Sequence, residues 1–440
     1  MNSIDKLIYG KNPLDRIVSI QVKDSIAKVF RELESGEIEI TEIPNRFWIL
    51  ATKPFGSGWT RLKGDQDFKF GKQYTKFHDW LTARKNLPYN EIYYVSNQTE
   101  ALQIKDGYCY YKNMKPEEVS ILSFDIESTG LTHDESSKIV LISNTFRKKG
   151  KIVRKLFCHD EYDNCGDLVK AWAAWVCEMD PSIVCFHNGH NFDLPYIKFC
   201  HDKYYPEDSI ILGRLGEALY INPYESKFRI DGSRDLHYNK SVIYGREIVD
   251  TMFLAYRYDA VKKKYESYGL KPIIKAEGLE KEGRAFYDAS TIKDNYMIPE
   301  EMEKIKAYAE DDADDSLALY DLMVAPTFYL TQSIPKPFQL VTESATGSQI
   351  NSLLVRAYLQ NKESVAKASD LSEETVEGGI SFAVPGIYKN VFKVDIKSCY
   401  PSQILRFKLY EESKDPHAYY FQLVEYFTLQ RFEYKEKMLS

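Results

Sequence analysis

Short apolar runs broken by Gly/Pro turns mark the first 113 residues. "EIEITEI" (37–43), "RFWILAT" (46–52) and "EIYYVS" (91–96) read as strands, and long helical periodicity is scarce. "MKPEEVS" (114–120) makes a linker. The pattern then changes. "SILSFDI" (120–126) reads as a buried strand. "KIVLISNTF" (138–146) and "KIVRKLFCH" (151–159) flank the turn "RKKG", which predicts a hairpin. In "DLVKAWAAWVCEM" (167–179), Leu168, Trp172, Trp175, Val176 and Met179 share one helical face, and Pro181 stops the pattern. "SIVCFHN" (182–188) predicts a strand and "LPYIKFCHDKY" (194–204) a helix. "REIVDTMFLAYRY" (246–258) predicts strand then helix, with Asp250 at the junction, and residues 300–323 predict one long helix. Strands interleaved with helices define an α/β sheet unit. The two prolines of "TQSIPKPFQL" (331–340) mark its end. A helix follows near 345–360, a strand ends at Asp395, and the last residues read as helix. The fold class is therefore α/β, an α+β multidomain chain. Its units are a β-rich N-terminal domain (1–113), a mixed-sheet domain (114–330) and a third segment (331–440).

Composition narrows the function. Apolar residues are 44% and charged residues 28% of 440, ordinary for a globular protein. Aromatics reach 14%, with 33 Tyr and 23 Phe, which suits base stacking but is equally absorbed by packing. The net charge of −7 argues against a simple basic nucleic-acid binder, though a local basic groove fits on an acidic body. Seven scattered cysteines without a Cys-x-x-Cys pair point to a reducing compartment. The first 20 residues hold no signal-peptide core, and no run has membrane-spanning length. The expectation is an intracellular protein, cytoplasmic or nucleoid-associated, with no membrane partner.

Three stretches carry chemistry. In "FDIES", alternation places Asp125 and Glu127 on one strand face. Paired carboxylates repel unless a cation joins them, and Mg²⁺ prefers such oxygens. In "NGHNFD" (188–193), Asn188 ends a strand and Asp193 starts a helix after a tight loop. In "YAEDD", Tyr308 and Asp312 stand at i and i+4, on the same helical side. Each has a plainer reading: a solvated strand end, a helix cap at Asp193, an exposed acidic face over 310–315. On that face Glu310/Asp314 and Asp311/Asp315 would repel by roughly 0.2–0.5 kcal/mol per pair.

Taken in order, "FDIESTGL", "NGHNFD" and "YAEDD" resemble the three motifs of the DnaQ-like 3′–5′ exonuclease domain of family B DNA polymerases, a ribonuclease H-like fold. The resemblance implies that Asp125, Glu127 and Asp312 hold two Mg²⁺ ions (Mn²⁺ as a substitute), with Asp193 completing the site directly or through water. It implies that Tyr308 orients the attacking water, and that Asn188 and Phe192 meet the 3′-terminal nucleotide of single-stranded DNA. Asp250 reads as a helix cap rather than a ligand. "RKKGKIVRK" (147–155) and Lys262–Lys264 are candidate phosphate contacts, with solvated loops as the alternative.

"VDIKSCYPS" resembles the first palm motif of the same polymerases, with Cys399 where leucine is usual. By that resemblance Asp395 is a palm metal ligand, and Ser398, Cys399 and Tyr400 line the site for an incoming deoxynucleotide, Tyr400 beneath its sugar. "EGGI" (377–380) resembles the loop between exonuclease and palm, with Val376 at its tyrosine position. The sequence contains no Lys-x-x-x-Asn-Ser-x-Tyr-Gly and no Asp-Thr-Asp. One aspartate cannot hold the metal pair that nucleotidyl transfer needs. The expectation is the exonuclease-bearing part of a proofreading replicative polymerase, working with a second chain that brings fingers, remaining palm and thumb. A stand-alone exonuclease and a non-catalytic DNA-binding remnant stay open as alternatives.

Overall fold

The computed structural model describes residues 3–230, 234–368 and 382–439. The "EGGI" loop and Val376 lie outside them. Three sheets carry the architecture. The first is the antiparallel meander β1 (Ile17–Lys23), β2 (Ile26–Glu32) and β3 (Ile38–Pro44), behind a short helix α1 (Ser3–Tyr9). The second contains β4 (Phe47–Ala51), β5 (Thr60–Arg61), β6 (Phe70–Tyr74) and β7 (Ile92–Tyr93) in the order β5-β6-β4-β7, with α2 (Phe77–Asn86) on one face. Helix α3 (Gln98–Asp106) follows. The N-terminal region is strand-rich as expected. Strands β1 and β2 and helices α2 and α3 were not read from the sequence, although β1 and β2 are as long as β3.

The third sheet has the order β10-β9-β8-β11-β16 and is built from β8 (Ile121–Ser128), β9 (Ile139–Lys148), β10 (Lys151–Cys158), β11 (Ile183–Phe186) and, later in the chain, β16 (Glu247–Asp250). Strand β9 runs antiparallel to β8 and β10, whereas β11 is parallel to β8 and β16. The β9–β10 hairpin turns at Lys149 (φ 51°) and Gly150 (φ 72°), the two positive dihedrals that a tight two-residue hairpin turn requires. Between β11 and β16 lie α5 (below) and two small ladders, β12 (Tyr220–Ile221) with β15 (Ser241–Val242) and β13 (Ser226–Arg229) with β14 (Asp235–Tyr238).

Alternation along β8 decides what each sheet face sees. Leu122, Phe124 and Ile126 point to the face covered by α4 (Cys165–Met179) and α5 (Asp193–Tyr204), where Leu168, Trp172, Leu194 and Ile197 complete a core. The opposite face carries Ser123, Asp125 and Glu127 toward the long helix α9 (Pro299–Thr331), which follows α6 (Thr251–Lys262), α7 (Leu270–Glu277) and α8 (Ile292–Asn295). On that side Ile121, Ile183 and Val249 join Leu317 and Tyr320 of α9, and Val18, Val29 and Phe30 of the first sheet. One apolar core therefore joins the N-terminal meander to the central sheet. Buried Glu32 reinforces the joint by accepting from the Ser120 amide (3.0 Å), the Ser120 hydroxyl (2.9 Å) and the Ser182 hydroxyl (2.6 Å).

Helix α9 runs eight residues past the predicted end, through Pro326. Burial of Val324 and Phe328 on either side offsets the hydrogen bond that the proline removes. Helices α10 (Phe338–Glu343) and α11 (Thr346–Gln360) then pack back, and α12 (Cys399–Phe407) and α13 (Tyr419–Leu439) close the described chain. The strand expected before Asp395 is not formed. Residues 391–396 form no regular element and no strand pairing, with Phe392 and Val394 each 89% exposed. A strand needs a neighbour for its backbone groups, and among the described residues none lies alongside.

A buried ion pair ties the segment after α9 to the N-terminal region. Lys336 Nζ stands 2.6 Å from Glu100 Oε1 of α3, which also accepts from Ser352 of α11 at 2.6 Å. Both charges are almost fully buried. Lys336→Met should lower stability by about 3–5 kcal/mol in urea unfolding, since it strands the Glu100 carboxylate. Adding Glu100→Met should recover most of that loss; a double variant no better than the single one would show that the pair is not the source.

Candidate active site

The first two carboxylates come from the C-terminal end of β8, the third from the middle of α9. Asp125, Glu127 and Asp312 each present a carboxylate oxygen, and these oxygens all lie within 4.8 Å of one another. Glu127 and Asp312 are buried and Asp125 half-buried. Asp193 opens α5 beside them. It lies outside the 4.8 Å group, yet among neighbouring charges it exerts the strongest push on Asp125. Its Oδ1 is buried with no hydrogen-bond partner among the described residues. The cap of α5 is Phe192 rather than Asp193, so the simple helix-cap reading of Asp193 does not hold.

Four acids in so small a space cannot all ionise freely. Burial first, then Asp193, Glu127 and Asp312, raise the Asp125 pKa well above the usual carboxylate range. Burial and Asp312 push Glu127 up to about 8, and burial pushes Asp193 up to about 7. Burial also raises Asp312, against the pull of Lys271 and Arg284. An orphaned oxygen amid raised carboxylates is the donor set that a hard divalent cation satisfies, so these residues fit such an ion.

The acidic stretch 310–315 is not an exposed face. Asp311, Asp312 and Asp315 are buried. Cations from neighbouring elements offset their repulsion: Lys281 reaches Asp311 (3.1 Å), Arg154 reaches Asp314 (2.9 Å), and Arg284 bridges Asp312 (2.5 Å) and Asp315 (2.7 Å). Arg154 and Arg147 are thereby engaged, the latter as a fork on Asp321 (2.5 and 2.7 Å). Within the basic hairpin, then, both arginines serve α9 rather than standing free for phosphate. In the other candidate, Lys262 bonds Tyr258 and Lys264 bonds Glu277.

Tyr308 lies one turn before Asp312 and is buried. Lys271 of α7 donates to the Tyr308 hydroxyl and pairs with Asp312 at 3.3 Å. Lys271 and Arg284 are the site residues that sequence reading missed. Lone cations between motifs carry no spacing signal, and only the fold brings them to α9. The "NGHNFD" loop is set by two constraints. Asn188 adopts φ 63°, and its amide donates to Asp250 (2.8 Å), whose carboxylate also caps α6 through the Met252 amide (3.0 Å). At Gly189 a Cβ would sit 2.5 Å from the Phe186 ring, so no larger residue fits. Phe192 is half-buried against the α4–α5 core. The palm residues are elsewhere: Asp395 and Tyr400 are exposed, Ser398 precedes α12 at φ 50° and accepts from Arg431, and no second carboxylate group of metal-holding geometry is present among the described residues.

A mixed five-stranded sheet thus carries two carboxylates near the C-terminal end of β8 and faces a helix that adds a third. Residues 75–273 match the family described as DNA polymerase family B, exonuclease domain. The DNA polymerase of Thermococcus litoralis is 26% identical over 314 residues, covering 66% of this chain and 17% of that protein. That of Thermococcus gorgonarius is 23% identical over 301 residues, covering 66% and 36%. The solved family B DNA polymerase of the hyperthermophilic archaeon Pyrobaculum calidifontis superposes with a TM-score of 0.65 at 16% identity, over 89% of this chain and 56% of that one. This chain thus carries, over residues 75–273, a match to the exonuclease domain of DNA polymerase family B. It spans about a third or less of the length of these two relatives.

The raised carboxylates give a pH test. Without divalent ions, Glu127 and Asp193 bind protons more tightly folded than unfolded. Their contribution to stability is complete near pH 4 and is lost as pH rises to about 8. Glu127→Gln should therefore gain stability relative to wild type between pH 5 and pH 8 in chelator. Mg²⁺ should stabilise wild type more at pH 8 than at pH 5. A thermal-midpoint difference flat across that range would contradict both.

Proposed function

We propose that this chain hydrolyses 3′-terminal nucleotides of DNA, as the exonuclease-bearing part of a family B polymerase. The observation that carries the reading is the convergence of Asp125, Glu127 and Asp312 within 4.8 Å near the C-terminal end of the central strand β8. Those three residues would hold two divalent ions, Mg²⁺ or Mn²⁺, with Asp193 as the fourth acid. Such ions, roughly 3.5–4 Å apart, supply an activated water and stabilise the leaving oxygen of a phosphodiester. The chain's own groups do the rest. Lys271 fixes the Tyr308 hydroxyl, which orients the attacking water. Asn188, held by Asp250, and Phe192 receive the terminal nucleotide, the ring by stacking. Proofreading is the role this activity would serve in replication.

Asp395 and the Ser398–Tyr400 turn would contribute to nucleotide incorporation once the missing motifs are supplied. Those are the fingers and the second palm carboxylate, and the partner this reading names is a polymerase chain carrying them. No helix among the described residues is long and apolar enough to cross a membrane.

With labelled single-stranded DNA and Mg²⁺, the protein should release nucleotides from the 3′ end. Asp125→Ala should slow release by at least about a hundredfold, the upper end of what losing a metal's supporting partner costs. Equal degradation by both proteins, or by neither, would sink the reading. Affinity for the strand should fall as salt rises from low to moderate, because phosphate contacts release counterions.

A further inference from the structure

The charge of the chain is unevenly spread. Residues 46–95 hold nine Lys/Arg against four Asp/Glu, although the whole protein carries −7. This segment is the second sheet with helix α2. Alternation along β6 puts Phe70, Lys72 and Tyr74 on one face, and Arg61 of β5 stands opposite Phe70 with its guanidinium 5.9 Å from the ring centroid.

A groove of about 330 Å³ opens on that face between α2 and the β4–β5 loop. Phe55 and Trp59 form its loop wall, with ring centroids 6.1 Å apart and edge-to-face. Lys72 and Tyr74 form its floor, and His78, Asp79 and Thr82 of α2 line the other side, one acid against the cations of the segment. The loop is built to hold those rings. Gly56 and Gly58, both at φ 83°, turn the chain, and Lys72 Nζ donates to the Ser57 carbonyl at 2.9 Å. Trp59 Nε1 donates to the Phe55 carbonyl at 3.0 Å, so the indole face is left to the groove. The Lys72 ammonium lies 6.0 Å from the Trp59 centroid and 5.5 Å from the Tyr74 centroid. Lys53 stands over Phe55 at 5.5 Å and pairs with Glu91 at 2.9 Å. Lys63, Lys69, Lys76 and Lys85 make no ion pair among the described residues.

We propose that this groove is a second binding site, for single-stranded nucleic acid, separate from the carboxylate site. A base stacks on Trp59 against Phe55 and Tyr74, while Lys72 in the groove and the lysines of this segment that lack an ion-pair partner draw in the phosphates. The excess of cations matches a polyanion, and pre-set rings match unpaired bases, which every sequence offers. A duplex hides its bases, and a purely ionic surface would have no use for a buttressed indole. The site does not depend on the nuclease reading.

The test uses the whole chain in chelator, so that no strand is cut, with oligothymidylate and oligouridylate of about ten nucleotides. Trp48, Trp80 and Trp172 are buried and Trp59 and Trp175 are half-buried, so the part of the tryptophan quenching that disappears in Trp59→Phe is the part that reports on Trp59. We expect quenching by at least one strand, and the tighter of the two identifies DNA or RNA as the ligand. Trp59→Ala should abolish it and weaken binding, read by anisotropy, about five- to a hundredfold. Trp59→Phe should keep most of the affinity while losing the signal. Lys72→Ala should reduce the salt slope by about 1. Absence of quenching in wild type, or undiminished binding by both Trp59→Ala and Lys72→Ala, would overturn the site.

Discussion

The structure turns on repulsion held in place. Four carboxyl groups meet at the end of the middle strand of the central sheet, where burial and mutual charge make ionisation costly. A fold would relieve that cost by turning the acids outward, and this one cannot. Asp125 and Glu127 alternate with Leu122, Phe124 and Ile126, which are committed to the α4–α5 core. The register that buries one row of β8 dictates where the other row points. Paid for by the apolar face, the acidic face is a site primed for cations.

Helix α9 is the second determinant. Its acids are shared among different tasks by the residues that reach them. Arg147 and Arg154 from the hairpin hold Asp321 and Asp314, which aligns the helix along β9. Arg284 clamps Asp312 to Asp315, leaving the other Asp312 oxygen toward Lys271. Tyr308 and Asp312 then share one cation. Position on a rigid helix, further back-stopped by its own ion pairs, is what gives these side chains a fixed orientation.

Much of this was legible in the sequence. The strands of the central sheet, the hairpin, α4 through Trp172, the Asp250 cap and the long acidic helix follow from period and punctuation, and the three motif stretches flagged the acids that converge. What was not legible depends on distance. No spacing rule links Lys271 or Arg284 to a helix some 30–40 residues onward, so the burial of the 310–315 acids was invisible and an exposed face looked natural. The run before Asp395 reads as a strand because its residues prefer one, but pairing is a property of neighbours, and propensity says nothing of those.

That run has a further consequence. In 391–396, Phe392, Val394 and Ile396 alternate with Lys393 and Asp395, and both backbone edges are bare. Such a ribbon is a template on which copies of itself can stack into cross-β fibrils. The interposed charges oppose this, since in-register stacking would pile lysine on lysine and aspartate on aspartate. The same residues that make the segment sticky toward a proper neighbouring strand thus carry their own brake against self-assembly. Concentrated preparations of the chain should owe their solubility in part to two small charges, Lys393 and Asp395.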